Sequence, residues 1–486
     1  MMGLGLLGRG IGDALFLAPH VKELLITDKK NEEELRTSIE TLKNELNSEN
    51  FSKIKFVLGE HRDEDFINTD IVMKSAGVPL DSQYIKAARA NNIPIYMSAA
   101  LLVKIIYENT IVRKGGDEKV SDDNLNVMVI GVTGTRGKST TTMMISHMLT
   151  TAGKRVHLGG NVRGVANLPL LDKIEDGDYL VLELDSWQLQ GFGDLKISPQ
   201  IAVFTSFLDD HMNYYKNDRE AYFNDKANIF LYQNETDKLI INKDIEAKIN
   251  QFCIEKNVKS NIITPPSFLQ NMNLIGQHNQ SIAGLASEVG IQLGLDYDDI
   301  VKGISSFKAV EGRLQYMVAY KNVIVYNDNN GTTPDAVIVG VEALNQKYKR
   351  PITLICGGSD KVLDLSNLVN VITDKSKVGN LILLAGTGTE KLKEAIAQTP
   401  SVALLYPVSP SGVVFKEFET LRECVEVAMR NTNSDLTPTL SKGEGATQNA
   451  NETILLFSPG FASFSKYFKN EYERNDEFVK CVEEYK

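Results

Sequence analysis

Residues 131–142 read GVTGTRGKSTTT, a glycine-rich turn that closes on Lys138-Ser139-Thr140. The apolar run Val127–Ile130 enters this turn, and TTMMISHMLTTAG, a helix-compatible stretch, leaves it. Strand, glycine loop and helix in that order are the context a phosphate-binding loop needs. Gly131, Gly134 and Gly137 let the backbone curl so that its N–H groups converge on phosphate oxygens, and the helix N-terminus adds its positive dipole end. Lys138 supplies positive charge for β- and γ-phosphates, and Ser139 or Thr140 a hydroxyl for Mg²⁺. A glycine turn with an incidental lysine would require neither the strand before it nor the helix after it. The loop predicts a nucleoside triphosphate site.

A chain of 486 residues exceeds one core and fits about three domains. A net charge of -11 with no dominant basic segment argues against nucleic acid or an anionic membrane as partner. It leaves an anionic substrate open, because a few local N–H groups and cations suffice for one. Cys253, Cys356, Cys424 and Cys481 are widely spaced with no CxxC pair. That spacing argues against a zinc site or a disulfide framework, and for a reducing cytoplasm. No apolar run approaches the ~18 residues of a membrane span, and MMGLGLLGRG lacks the layout of a signal peptide.

Short apolar strands alternate with helical stretches from the start. GLGLLGRGIGDALFL places Gly3, Gly5 and Gly8 in G-x-G-x-x-G spacing, and ELLITD ends in Asp28. That acidic residue strengthens an otherwise weak dinucleotide-type fingerprint. No full strand precedes Gly3, and no hydride-transfer constellation accompanies the motif. KIKFVLG, DIVMKSAG and IPIYMS read as later strands, and RKGGDEKVSDDNLN (113–126) as a linker. A third segment opens near VEGRLQ and carries ITLICGG, LILLAGTG and ETILLFSPG as strands. Its polar stretch 431–452 reads as a flexible surface loop. The expected fold is α/β in three domains. A Rossmann-like N-terminal domain spans 1–108, a P-loop ATPase-type domain 109–310 and a Rossmann-like C-terminal domain 311–486.

Candidate chemistry gathers at the strand ends. YLVLELDSWQLQ ends a strand in Glu183 and Asp185, and a carboxylate beside a phosphate loop is placed for Mg²⁺. Trp187, the only tryptophan, reads equally as a packing residue or a substrate contact. His211 follows the strand IAVFTSF and two acidic residues, with metal or substrate contact balanced against a structural role. AYFNDKANIF reads as an amphipathic helix with Lys226 near its apolar side, where a snorkelling surface lysine is the commoner case. Asn279 suits a helix N-cap, or a purine edge. Arg313 and Asp328 stand near the join of the second and third segments, where ligands often bind.

The order of these motifs resembles the Mur ligase superfamily, the ATP-dependent ligases that build the peptide of bacterial cell-wall precursors. GVTGTRGKST, VLELDSWQL, DDHMNYY…AYFNDKANIF, GQHN, EGRLQ, YNDNNGTTPDA and CGGSDK follow in the family's sequence over nearly the whole chain. ELDSWQL, DIVMKSAGVPLDS and SPGFASFSKYFKNEYERNDEF most resemble the branch that joins glutamate to UDP-N-acetylmuramoyl-L-alanine. The resemblance implies ATP and Mg²⁺ as cofactors. Gly134, Thr135, Gly137, Lys138, Ser139, Thr140, Asn279, Arg313 and Asp328 would contact ATP. Ser139, Glu183, His211 and Lys226 would serve the metal, Lys226 as a CO₂-derived carbamate. Lys138, Glu183, His211 and Lys226 would be catalytic. Asp28, Ser75 and Gly77 would face the uridine nucleotide, Asn161 and Ser186 the muramoyl-alanine portion, and Ser463 the incoming glutamate. It further implies a cytoplasmic monomer with small-molecule substrates, neither nucleic-acid-binding nor membrane-inserted.

The chain departs from that pattern chiefly around the amino-acid pocket. Asn330 stands at a usual lysine position, Gly312 and Gln315 replace a histidine and a glutamate around Arg313, and Asn213 replaces an aspartate. One extra residue in SFSKYFKNEYER shifts the aromatic bordering the glutamate, with Tyr472 as the candidate. Another amino-acid acceptor, or a nucleotide-binding protein without ligase activity, are the alternatives these departures raise.

Overall fold

A computed structural model describes residues 1–6, 8–79, 81–108, 126–212, 214–320, 322–399, 408–409, 412–413, 415–430, 452–463 and 468–485. The expected linker and the polar stretch 431–452 lie outside these residues except at their last positions, and Asn213 lies outside them altogether. The chain divides into two compact units, Met1–Gln270 with Ser281–Ser305, and Asn271–Gln280 with Ser306–Lys486. The expected first segment and most of the second therefore fall within one unit, while 271–280 and 306–310 belong to the other.

In the first unit β1 (Leu24–Asp28) pairs in parallel with β2 (Ile54–Leu58), and β3 (Val72–Met73) with β4 (Ile95–Tyr96). Met2 makes isolated parallel bridges to Thr27 and Lys74 where a full first strand is missing, which sets the glycine turn beside Asp28. Six further strands form one parallel sheet: β5 (Met128–Thr133), β6 (Val156–Gly160), β7 (Tyr179–Glu183), β8 (Ile201–Phe204), β9 (Lys238–Ile241) and β10 (Asn261–Ile263). Their spatial order is β10-β9-β8-β5-β7-β6. The chain leaves β5 toward β6 and β7, then crosses to β8 on the other side. β5 thus marks the topological switch, and ligands bind at the carboxyl ends of strands beside such a switch.

Local sequence explains this layout. β5, VMVIGVT with its entry residue, is covered on both faces and reads as an unbroken apolar run. The helix Lys138–Thr151 buries Thr140, Thr141, Thr142, Met144, Ile145, Met148 and Leu149. It ends where Gly153, at φ 74°, allows Lys154 N–H to reach the Leu149 carbonyl at 2.9 Å.

The first segment joins the central sheet through shared packing. The helix Ser98–Tyr107 buries Ala99, Ala100, Leu102, Val103 and Ile106 in the same cluster as Leu168, Leu189 and Phe192. Buried Asp13 accepts the Leu168 N–H at 3.1 Å, and the Tyr107 hydroxyl donates to the Ser198 carbonyl at 3.0 Å. Burial raises the Asp13 pKa to about 6.

The second unit holds a mixed sheet of β11 (Gln315–Tyr320), β12 (Val323–Asn327), β13 (Ile352–Gly357), β14 (Val378–Leu384), β17 (Glu417–Phe418) and β18 (Thr453–Phe457). The hairpin strands β15 (Val408–Ser409) and β16 (Gly412–Val413) pair only with each other among the described residues. The sheet order is β11-β12-β18-β13-β14-β17, with β11 antiparallel to β12 and the other neighbours parallel. Separate apolar clusters cover its two faces, one under the helix Pro334–Tyr348 and one under Leu421–Arg430 and Glu471–Glu483. Among the described residues no helix is long and apolar enough to cross a membrane.

Candidate active site

The carboxyl ends of β5, β7 and β8 carry most of the residues expected to do chemistry. After β5 the chain turns through Gly134 at φ 143° and Gly137 at φ 83°. A Cβ on Gly134 would lie 2.1 Å from Thr205 Oγ1 and 2.8 Å from the Ser206 nitrogen, so the loop packs its backbone against the end of β8. Thr205 Oγ1 is itself held in place, donating to the Thr133 carbonyl at 3.0 Å. Gly134→Ala is therefore expected to cost about 1–3 kcal/mol of stability, from strain at a position L-residues avoid. Denaturant unfolding with and without ADP checks this, and the stabilisation by ADP should shrink as well.

Two lysines converge on the turn. Lys138 Nζ donates to the carbonyls of Gly134 and Thr135 at 3.0 and 3.2 Å. Lys226, on the helix Arg219–Ala227, is 1% exposed and donates to the same Gly134 carbonyl at 2.9 Å. The sequence left Lys226 close to the apolar side of its helix; the structure buries it outright, with Nζ 4.8 Å from the Tyr222 ring centroid. Desolvation, and then the neighbouring Lys138 charge, push its pKa well below the ordinary lysine range. A neutral amine is a nucleophile, and it can add to CO₂ as an ammonium cannot. Thr135 is buried, its hydroxyl donating to the Leu208 carbonyl at 3.0 Å and lying 3.3 Å from the Tyr222 hydroxyl.

Glu183 closes β7 opposite Val132, is 6% exposed, and its carboxylate has no hydrogen-bonding or ionic partner among the described residues. The Glu183 carbonyl accepts the Asn161 N–H at 2.7 Å, so Asn161 stands at the same strand end. Asp185 caps the next helix by accepting the Gln188 N–H at 2.8 Å, which commits it to structure. Ser186 is buried at the first position of that helix. His211 sits in the loop after β8 at φ 56°, beside Trp187, with ring centroids 4.8 Å apart. Surrounding protein lowers its pKa, with the Lys138 charge adding to that and Asp210 opposing it, although 42% of the side chain remains exposed. Among the described residues no three His, Cys, Asp or Glu side chains form a metal-holding group by themselves. The donors that fit Mg²⁺ here are mixed: hydroxyls of Ser139 and Thr140, the uncommitted Glu183 carboxylate and the His211 imidazole.

A cavity of about 340 Å³ in the same unit is lined by Gly3, Gly5, Gly10, Asp28, Lys74, Ser75 and Gly77, among others. Asp28 and Ser75 line it, and their polar atoms build its walls. Asp28 Oδ2 accepts the N–H groups of Leu4 and Gly5 at 2.9 and 3.1 Å, and Ser75 Oγ donates to the Met2 carbonyl at 2.8 Å. A Cβ on Gly3, at φ 91°, would meet Ser75 Oγ at 2.7 Å. Lys74, which sequence reasoning missed, is 3% exposed and donates to the Val78 carbonyl at 2.6 Å. Burial lowers its pKa to about 8. Its position immediately before the Ser75 turn was the available signal.

The remaining candidates lie in the second unit. Asn279 is the third residue of the helix Gln277–Gln292, not its cap, and its amide donates to the Ile275 carbonyl at 2.7 Å. Asp328 is half-buried near Arg313, accepting the Leu314 N–H at 3.0 Å and the Ser458 hydroxyl at 2.7 Å; desolvation raises its pKa to about 7. Asn330 donates to the Glu311 carbonyl at 3.3 Å, and Gln315 accepts the Gly312 N–H at 3.2 Å. Ser463 is 5% exposed, and Tyr472 lies in the first turn of the helix Glu471–Glu483. Arg474 also escaped sequence reasoning; it is 1% exposed and donates to the side chain and carbonyl of Asn329 at 2.8 and 3.0 Å.

Residues 132–281 match the Mur ligase middle domain. A UDP-N-acetylmuramoylalanine–D-glutamate ligase of Borreliella afzelii is 31% identical over 504 aligned positions, covering 99% of this chain and 97% of its own. The chain belongs to the Mur ligase family. A relative of the same name from a Roseiflexus species is 29% identical, with 100% of this chain and 98% of its own covered. Two solved Mur ligase structures share the fold. Thermotoga maritima MurC has a TM-score of 0.55 at 16% identity, covering 100% of this chain and 99% of its own. Acinetobacter baumannii MurF has a TM-score of 0.53 at 14% identity, covering 85% and 92%. In this Mur ligase the phosphate loop, Glu183, His211 and Lys226 all stand at the carboxyl edge of the parallel sheet.

Proposed function

We propose that this Mur ligase joins glutamate, in its D form, to UDP-N-acetylmuramoyl-L-alanine, with ATP converted to ADP and phosphate, in making the peptide of a cell-wall precursor. The convergence of Lys138, Glu183, His211 and a buried amine at Lys226 around one glycine loop carries the reading. The names of the full-length relatives support the substrates.

A carboxylate has no leaving group, so the alanyl carboxylate must first take a phosphoryl group from ATP. The resulting acyl phosphate is attacked at carbon by the glutamate amine, which gives up a proton, and the tetrahedral adduct expels phosphate to leave the amide. Loop N–H groups and Lys138 hold the β- and γ-phosphates and offset charge on the transferring group, which should lower the barrier more than any other single effect. Glu183, His211, Ser139 and Thr140 would hold Mg²⁺, which when bound neutralises phosphate charge. Lys226 as a carbamate would exchange a neutral amine for an anion directed at that metal. No side-chain nucleophile is needed; holding the acyl phosphate and amine together supplies much of the remaining rate. The cavity bounded by Gly3, Ser75 and Gly77 takes the uridine nucleotide, with Asp28 shaping it. Asn161 and Ser186 face the muramoyl-alanine part, Asn279 reads adenine, Arg313 and Asp328 serve ribose and phosphates, and Ser463 meets the glutamate. The same reading makes the enzyme a cytoplasmic monomer.

Phosphate release with UDP-N-acetylmuramoyl-L-alanine, ATP and Mg²⁺ tests the reading. It is expected with D-glutamate and absent with L-glutamate or no amino acid. A clear preference for another amino acid would instead favour a different acceptor, the reading Asn330 supports. Measurable ATP binding with no acceptor-dependent release would point to a protein without ligase activity.

A further inference from the structure

The imidazole of His211 makes no hydrogen bond among the described residues. It projects from the turn that follows β8, on a backbone at φ 56°, and 42% of the side chain is exposed. Its contact with Asp210 is at 4.0 Å, the limit of an ion pair, while Asp210 is engaged by Arg136 at 3.1 Å. The closest aromatic face is Trp187, tilted 51° at a centroid distance of 4.8 Å, and Trp187 is backed in turn by Tyr214 at 5.4 Å. Trp187 is the second residue of the helix Ser186–Leu195, whose start is fixed by the Asp185 capping box. Its indole N–H is buried without a partner among the described residues, so packing alone sets the ring. The His211 backbone is held in a turn, its carbonyl accepting the Tyr214 and Tyr215 N–H groups at 2.9 and 3.1 Å. A rigid helix start thus presents a flat surface to a ring that makes no hydrogen bond among the described residues and otherwise meets only the more distant edge of Tyr222 at 6.4 Å.

We propose that Trp187 is a positioning residue, whose indole seats the His211 ring in the orientation that binds the divalent cation. This rests on the reading of His211 as a metal ligand. Groups that orient a ligand imidazole act much as the hydrogen-bonding partners of metal-bound histidines do, and their loss typically weakens metal binding by 10–100-fold. An aromatic ring of any kind should serve, whereas an aliphatic side chain of similar bulk should not.

Mn²⁺ binding to the enzyme–ADP complex, counted by electron paramagnetic resonance, tests this without turnover. Trp187→Leu should weaken Mn²⁺ binding roughly tenfold, Trp187→Phe should stay near wild type, and His211→Ala should lose at least as much as Trp187→Leu. Because the chain has one tryptophan, wild-type emission reports this site alone, and Mn²⁺ with ADP should quench it. That measurement needs no variant to fold. Saturation with Mn²⁺ without quenching would overturn the proposal. So would native affinity in Trp187→Leu, or a loss in Trp187→Phe equal to that in Trp187→Leu, while His211→Ala still binds weakly. Native affinity in His211→Ala would overturn the metal-ligand reading itself.

Discussion

Lys226→Ala is expected to lower turnover by at least ~100-fold, the scale of losing one preorganised electrostatic group of the site, here the anion directed at the metal. Part of the activity should return on adding acetate or another small carboxylate. Lys226 is 1% exposed, its Nζ donates to the Gly134 carbonyl, and Lys138 donates to that same oxygen. Two ammonium groups facing one carbonyl in a buried site repel each other, and desolvation adds to the penalty. The amine is therefore shifted toward its neutral form, in which addition of CO₂ gives a carbamate and releases a proton. The product carries the opposite charge and would draw Lys138 and the metal toward it. Alanine leaves a void lined by Gly134 and Tyr222 that a small carboxylate can enter. The variant should fold, because removing a desolvated amine offsets part of the lost packing. Initial rates in bicarbonate-depleted buffer, with and without acetate, are the measurement. Wild-type rates in the alanine variant would remove the carbamate from the mechanism.

Lys138→Ala is expected to lower kcat by at least ~100-fold with a smaller change in substrate affinity, since its charge matters most when phosphoryl charge develops. Its ammonium lies at the start of the helix Lys138–Thr151, within 3.0 Å of the Gly134 carbonyl and 3.2 Å of that of Thr135. Those carbonyls hold it against the loop, poised to swing to a bound phosphate. Single-turnover phosphate release separates the chemical step from nucleotide binding. A rate near wild type would mean that the loop does not cradle the transferred phosphate.

Much of this was legible before folding because phosphate loops are local. GVTGTRGKST specifies its own turn, its own N–H cradle and its helix start within ten residues, so no distant contact is needed to recognise it. The strand ends carrying Glu183 and His211 were likewise visible as apolar runs stopping at polar residues. Asp28 and Asp328 show where that legibility ended. Sequence position points each of them at a ligand but does not show that Asp28 also accepts two loop N–H groups and Asp328 also accepts Leu314 N–H and the Ser458 hydroxyl. A carboxylate's hydrogen-bonding partners can lie 130 residues away, as Ser458 does from Asp328, and no periodicity records them. Arg474 escaped for the same reason, its partners at Asn329 being set by the packing of a helix onto a sheet.

By itself the sequence determined that this chain would build parallel α/β layers with a glycine turn of phosphate-loop pattern at the end of β5, because alternation and a glycine loop are local instructions. Tertiary structure alone decided that Lys226 is a buried amine. On an amphipathic helix a lysine near the apolar side can extend its head to water, and only the sheet edge, Tyr222 and the glycine loop closing over it remove that route. Burial is a property of everything packed around a group, and it changes the group's charge and so its chemistry.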